Sequence, residues 1–286
     1  MGASDMKLAT LIRLTFLEAV RRKIALAAFL LGIVFLALFA TGVHFIKKDL
    51  VRLEGKPAQA LITNQVLNFL SMAGLYSVNF LAIAMGALVS ADTLAGEISS
   101  GAIQTIASKP VRRSEIVAGK WLGFAALLAA YLLLMAGGVL AIMKGWTGYR
   151  LRHLLPGLSL IYFESVLMMT VSLACSSRFS TMATGGIVFG LYGIGFVGGW
   201  VEQIGTFLQN DTARQIGIVS SLIIPTESLW KRACFEMTSP LIRSLGINAG
   251  PFAAGYVPSA AMLVYAALYL AAMLFIAIRI FSRRDL

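Results

Sequence analysis

Few side chains in this sequence could do chemistry, and those few are widely spaced. The two histidines, His44 and His153, and the two cysteines, Cys175 and Cys234, form no cluster with the spacing of a metal site. No H-E-x-x-H or G-x-S-x-G pattern supplies a nucleophile with a neighbouring base. A membrane-embedded hydrolase therefore remains only a minor alternative for this chain, and we expect no metal site.

Nucleotide phosphates would need a different pattern, G-x-x-x-x-G-K-[ST]. The Gly-Lys pairs Gly55-Lys56 and Gly119-Lys120 are followed by proline and tryptophan instead of a hydroxyl residue. Neither pair has the upstream glycine at the required spacing. We therefore expect that the chain binds no cofactor and does not hydrolyse ATP.

Polar and small side chains inside apolar runs are the other candidates. Glu164 and Asn79 could each line a pathway or bond a neighbouring helix, because an uncompensated polar group in hydrocarbon is costly. For Glu164 a position near the headgroups is the alternative. Two G-x-x-x-G pairs, Gly186/Gly190 and Gly195/Gly199, indicate close helix contact, within one chain or with a second copy.

The composition shows what kind of scaffold must hold these residues. Of the 286 residues, 58% are hydrophobic and only 13% are charged, and the mean hydropathy is +0.83. Soluble domains carry about 25% charged residues. The net charge of +11 comes from Lys and Arg placed between apolar runs, where they set membrane orientation and bind anionic headgroups. We therefore expect contact with a lipid bilayer and no binding to nucleic acid.

Six apolar runs are long enough to cross a bilayer, which takes about 20 residues in a helix. They predict an all-α integral membrane protein with one transmembrane domain and these spans: 24–46, 69–90, 121–143, 157–176, 182–204 and 258–280. Residues 1–23 predict an interfacial helix, with a cleaved signal peptide as the alternative. Residues 205–257 predict an outer loop with short helices, one of which lies on or dips into the outer leaflet. A seventh span, which would be stopped at Pro225, is the alternative there.

The orientation follows from the basic residues. Lys and Arg are slightly more frequent on the side of the N-terminus, and those closest to span ends favour both termini in the cytoplasm: Arg21, Arg22, Lys23, Arg283 and Arg284. This orientation makes residues 91–120 a cytoplasmic connection between the second and third spans.

That connection contains an amphipathic pattern. On a helix over residues 92–108, one face carries Ala95, Ile98, Ala102 and Ile106, and the opposite face carries Glu97, Ser100, Gln104 and Ser108. The helix should end before Pro110, and a new one should begin near Ser114, with Glu115 in its first turn. The polar face could dock on another protein, or it could simply be solvated.

The same stretch, "DTLAGEISSGAIQTIASKPVRRSEIVAGKWLG", resembles the coupling-helix region of type-2 ABC transporter permeases. The matching positions are Glu97, Gly101, Ile103, Pro110, Arg113, Ile116, Gly119 and Lys120. The order of an interfacial helix, six spans and a long outer segment before the last span is similar to that family along nearly the whole chain. "IIPTESLWKRA" also resembles the subgroup that contains the permease of nitrous-oxide-reductase maturation.

The resemblance implies a function and partners. It implies a plasma-membrane permease that works as an exporter. Such a permease pairs with a second permease and with separate ATP-binding-cassette subunits, which hold ATP and Mg. Coupling would fall to Glu97, Ser100, Gly101, Gln104, Ser108, Pro110, Arg113 and Lys120, and the second and fifth spans would face the partner permease. An ion-driven secondary transporter is the main alternative, although no pair of matching interrupted spans supports it.

Overall fold

A computed structural model describes residues 3–51, 57–99, 113–240, 242 and 257–283, with the side chains of all these except 3–11, 51, 57–60, 94 and 97–99. All regular structure in these residues is α-helical. In chain order the helices are α1 (Ala3–Arg21), α2 (Lys23–Val51), α3 (Pro57–Ser99), α4 (Arg113–Thr147), α5 (Leu154–Ser176), α6 (Thr181–Phe207), α7 (Asp211–Ile223), α8 (Thr226–Met237) and α9 (Ala260–Ser282).

Six of these helices are long and apolar enough to span a membrane, namely α2 to α6 and α9. Each contains one of the six predicted spans or nearly coincides with it, so the predicted fold class is confirmed. Helical geometry follows from the solvent, because a backbone in hydrocarbon must satisfy its own hydrogen bonds. If all six helices span the membrane, the two termini of the chain lie on the same side of it. We call the end with Arg22, Asp92, Arg113 and Thr181 the near end and the opposite end the far end.

Helix α5 lies at the centre of the bundle, whereas α2 and α9 lie at its periphery. In the most apolar stretch of α5, 67% of the residues are buried, compared with 11% in α2 and in α9. The largest cluster of buried apolar side chains joins α3, α4 and α5 through residues such as Met72, Leu75, Leu128, Tyr131 and Met169. The peripheral helices leave large apolar side chains exposed, as expected for surfaces that face lipid.

Hydrogen bonds from side chains tie the central helices together. Ser172 Oγ of α5 donates to the carbonyl oxygen of Ala87 on α3 at 2.7 Å. Trp121 Nε1 of α4 donates to Thr170 Oγ1 of α5 at 2.8 Å. Tyr131 of α4 donates to the carbonyl oxygen of Ala28 on α2 at 3.2 Å. Such contacts supply helix association in lipid, where the hydrophobic effect between helices is weak.

Helices α7 and α8 form a hairpin that turns back into the bundle. A methyl group at Gly205 would lie 2.7 Å from Cβ of Ala213, and one at Gly195 would lie 2.8 Å from Thr226 Oγ1. Thus α7 runs antiparallel along α6 and ends level with Gly195, about halfway along that helix. Helix α7 has 13 residues and ends at Ile223, before Pro225, so it is too short for a seventh span. Its place on or in the outer leaflet stays a prediction.

The connection between α3 and α4 differs from the predicted one in its first part. Residues 92–99 continue the helix of the second span, since α3 runs unbroken from Pro57 to Ser99. No proline or glycine pair interrupts the chain between the apolar run and Ser99, so nothing ends the helix there. Residues 100–112 lie outside the described residues. Helix α4 then begins at Arg113 with Glu115 in its first turn.

Candidate functional site

Three of the eight predicted coupling residues, Glu97, Arg113 and Lys120, belong to described helices at the near end. Glu97 is in the last turn of α3, and its side chain is outside the described part. Five of the predicted residues fall outside it altogether: Ser100, Gly101, Gln104, Ser108 and Pro110. Arg113 and Lys120 are described, and both are on α4. The proposed docking face therefore remains a prediction, whereas the two helices that enter and leave it are defined.

Asp92 anchors the helix that enters the connection. Arg22, at the break between α1 and α2, donates from Nη1 to Asp92 Oδ2 at 3.2 Å and from Nη2 to Glu18 Oε1 at 2.7 Å. Thr181 Oγ1, at the start of α6, donates to Asp92 Oδ1 at 3.4 Å. One carboxylate thus joins the α1–α2 break, α3 and α6 just before the connection begins.

The helix that leaves the connection is anchored to the last helix. Arg113 Nη1 donates to the carbonyl oxygen of Ser282 in α9 at 3.4 Å. One turn later Ile116 and Val117 pack in a buried cluster with Leu173 and Ala174 of α5 and with Ala277 and Phe281 of α9. Lys120 is buried in the same turn. Movement of the connection would therefore be passed to α5 and α9 through packed side chains.

A second group of polar residues lies deep in the bundle, on α3, α5, α6 and α8. We call Asn79, Glu164, Glu202, Glu227 and Lys231 the buried polar cluster; all five are buried. Asn79 Nδ2 donates to Glu164 Oε2 at 3.1 Å, joining α3 to α5. Glu164 therefore lies inside the bundle, near the middle of α5, and both predicted residues take part in a contact between helices.

Helix α8 supplies the other half of the cluster. Lys231 Nζ donates to Glu202 Oε2 on α6 at 2.7 Å and to the carbonyl oxygen of Gly199 at 3.4 Å. Tyr76 of α3 donates its hydroxyl hydrogen to Glu227 Oε1 at 3.5 Å. Burial raises the pKa of the Glu227 carboxyl to about 7, while the nearby Lys231 charge acts in the opposite direction. Burial of charge at this density is expensive and marks a functional region in membrane proteins.

The glycines of α6 divide into two groups. Methyl groups at Gly195 and Gly199 would lie 2.8 Å from Cγ2 of Ile224 and 2.7 Å from Cγ of Glu227, so this pair packs against the α7–α8 hairpin. Gly186 and Gly190 have nothing within 4 Å of such a methyl group. The first pair thus serves contact within the chain, and the second presents an open, narrow surface.

An apolar groove lies beside the cluster, between α2, α3 and α6. Its volume is about 700 Å³, and its twelve lining residues are Leu31, Val34, Phe35, Leu38, Tyr76, Ser77, Phe80, Leu81, Phe189, Tyr192, Gly193 and Phe196. Side chains along its rim are half exposed, including Leu31, Val34 and Phe80. Tyr76 belongs both to the groove wall and to the hydrogen bond with Glu227.

Sequence analysis missed three of the five cluster residues: Glu202, Glu227 and Lys231. Glu202 falls within the predicted span 182–204, so an acid inside an apolar run was a usable signal. Glu227 and Lys231 lie in the polar stretch "TESLWKRACFEM", which predicts a solvated helix when read alone. Only the fold shows that this helix is buried.

A bundle with six helices long and apolar enough to span a bilayer defines a multi-pass membrane protein. The sequence matches the ABC-2 family transporter protein over residues 9–286, and the chain belongs to that family. It is the permease component of an ABC transporter, a membrane transport subunit and not a catalytic one. The family implies an ATPase partner. No curated protein matches the sequence.

Proposed function

We propose that this chain is the permease of an ATP-driven exporter and that it couples to a separate ATP-binding-cassette subunit through the connection between α3 and α4. The observation that carries the proposal is the family match across residues 9–286. ATP closure of the ATPase would displace the connection, and the contacts of Asp92 and Arg113 would pass that displacement into α6 and α9. A ligand can drive such a change only through contacts that differ between the two states.

The sequence supports a division in which this chain forms the pathway and the partner subunit hydrolyses ATP. Neither Gly-Lys pair completes a phosphate-binding loop, so ATP and Mg belong to the partner. The docking face is assigned to Glu97, Ser100, Gln104 and Ser108, with Arg113 in the basic turn.

A second permease completes the pathway in this proposal. The open surface at Gly186 and Gly190 lets another helix approach closely. The groove between α2, α3 and α6 borders that surface through Phe189 and Gly193. Two copies facing each other there would enclose both grooves, and the enclosed space would be the route of a hydrophobic substrate.

The orientation and the subgroup are parts of the same proposal. The basic residues beside the span ends favour an orientation with both termini in the cytoplasm, and the family resemblance favours the plasma membrane. "IIPTESLWKRA" supports a place near the permease of nitrous-oxide-reductase maturation, because it resembles that subgroup.

The test is co-purification with a measurement of ATP hydrolysis. The C-terminally tagged chain is solubilised gently, and the ATPase activity of what it retains is compared with Glu97→Arg. Asp211→Arg is the matched control, because Asp211 is an exposed acid at the far end. We expect a stoichiometric ATPase that is lost or uncoupled only in Glu97→Arg. A chain that purifies alone and transports in liposomes would instead be an ion-driven carrier.

A further inference from the structure

The groove between α2, α3 and α6 has the lining of a site for a lipophilic cation. Six of its twelve lining residues are aromatic: Phe35, Tyr76, Phe80, Phe189, Tyr192 and Phe196. The faces of aromatic rings attract cations, and the attraction is strongest where water is excluded. A volume of about 700 Å³ is within the range of small-molecule pockets.

The groove wall is backed by acidic side chains. Tyr76 donates to Glu227, and Tyr192 of α6 also lines the groove. A phenol that donates to a carboxylate gains electron density, which makes its ring a better cation binder. Tyr76 therefore brings the negative potential of a buried carboxyl to the surface of an otherwise apolar groove.

The charge of the cluster is unbalanced. Within the described residues, the cluster contains the three acids Glu164, Glu202 and Glu227 and one base, Lys231. Lys231 bonds Glu202 at 2.7 Å, and its charge also acts on Glu227, so one base is shared by two of the three acids. The amide oxygen of Asn79, which is 1% exposed and adjacent to Glu164, accepts no hydrogen bond. The excess of acids over bases favours additional positive charge at this level of the bundle.

We propose that the groove binds lipophilic cations, whose apolar body packs against the aromatic wall while their charge is stabilised by Glu227 through Tyr76. The inference rests on the proposed function, since it names the substrate class of that permease. A neutral acyl chain or a helix of a second copy would use the same apolar wall but would gain nothing from the acids behind it.

Tritiated tetraphenylphosphonium is the probe, and its binding is measured to the full chain in detergent with any partner it retains. We expect Glu227→Gln to weaken binding by about tenfold or more, because it removes the charge and keeps the shape. Glu236→Gln is the matched control on the same helix, where Glu236 pairs with Arg232 at 2.8 Å. It should leave binding unchanged. Phe80→Leu should weaken binding, and Phe275→Leu, on the exposed face of α9, should not.

Two further measurements need no variant. Neutral triphenylphosphine oxide, which keeps three phenyl rings without the charge, should fail to displace the probe. The groups around Glu227 are Lys231 and Cys234 on its own helix, Tyr76 on α3, Glu164 on α5 and Glu202 on α6. Because the pKa of Glu227 is about 7 and the cation favours its ionised form, affinity should fall about tenfold between about pH 8 and about pH 6.

Equal binding by wild type and Glu227→Gln would overturn the inference, as would displacement by the neutral oxide as readily as by unlabelled probe. The groove would then be an apolar surface for lipid or for a second copy. These results do not depend on ATP, so the loss of the ATPase partner in the co-purification would refute the proposed function separately.

Discussion

Helices α7 and α8 are consecutive in the chain, yet α7 exposes apolar side chains and α8 buries charged ones. Helix α7 leaves a row of apolar side chains 45–56% exposed, namely Ile216, Ile218, Val219, Leu222 and Ile223. Helix α8 buries Glu227 and Lys231 together with Trp230. In a soluble protein the two patterns would be exchanged.

The difference shows how a bilayer can stabilise the two helices of a hairpin in different ways. The exposed row of α7 suits hydrocarbon, so the outer face of the hairpin is solvated by lipid tails. The charged residues Glu227 and Lys231 of α8 are stable there because Tyr76 on α3 and Glu202 on α6 bond them. Helix α7 is therefore stabilised by lipid, and α8 is stabilised by contacts with other helices. Substitutions in the two helices should change the stability of the protein in different ways.

The largest effect is expected at the ion pair of α8. Lys231→Met should destabilise the protein by about 3–5 kcal/mol, because it leaves the buried Glu202 carboxylate without its partner. The double variant Lys231→Met/Glu202→Gln should recover most of that loss, since neither charge remains. Thermal unfolding in detergent measures both. If the single variant were as stable as wild type, the pair would not hold α8 in place.

A depth gradient is expected along α7. Leu222 is level with the middle of α6, whereas Ile216 is nearer the far end. Leu222→Lys should cost about 2.5–3.5 kcal/mol, the range for a charge near the bilayer centre, and Ile216→Lys about 1 kcal/mol or less. Unfolding by SDS in bicelles would show the gradient. Equal costs at the two positions would mean that α7 lies flat in the interface.

The two glycine pairs of α6 provide the smallest and most specific comparison. Gly199→Ala should cost about 1–3 kcal/mol, because the new methyl group would meet Cγ of Glu227 at 2.7 Å. Gly190→Ala should change the stability of the single chain by less than about 0.5 kcal/mol, since its methyl group meets nothing. Cross-linking would then test whether Gly190→Ala reduces self-association. Equal losses of stability would contradict the division of these glycines into two groups.

Much of the fold could be predicted because it is encoded locally. Each span is a predominantly apolar run, and a run of that length has one stable conformation in hydrocarbon. The interhelical roles of Asn79 and Glu164 were also open to prediction, because a polar side chain in such a run needs a partner. The sequence could not identify that partner, since Asn79 and Glu164 lie on separate helices.

The buried hairpin could not be predicted for a related reason. Residues 226–237 are as polar as a surface helix, and their burial depends on Glu202 and Tyr76 from distant parts of the chain. The helix predicted from Asp92 is continuous with the second span as far as Ser99, where the described part of α3 ends. The hydrogen bonds of Asp92 with Arg22 and Thr181 join residues far apart in the chain, which local pattern does not show.

The length of α3 has a mechanical consequence. With 43 residues, it contains about 65 Å of helix, roughly twice the thickness of the hydrocarbon core. Tyr76 and Asn79, which hold it to α8 and α5, lie near its midpoint. If α3 tilted by about 10° around this point, its two ends would move by about 6 Å in opposite directions, and the contacts of Asp92 with Arg22 and Thr181 would change with the tilt. A displacement of α3 at one face of the membrane would thereby produce an opposite displacement at the other face.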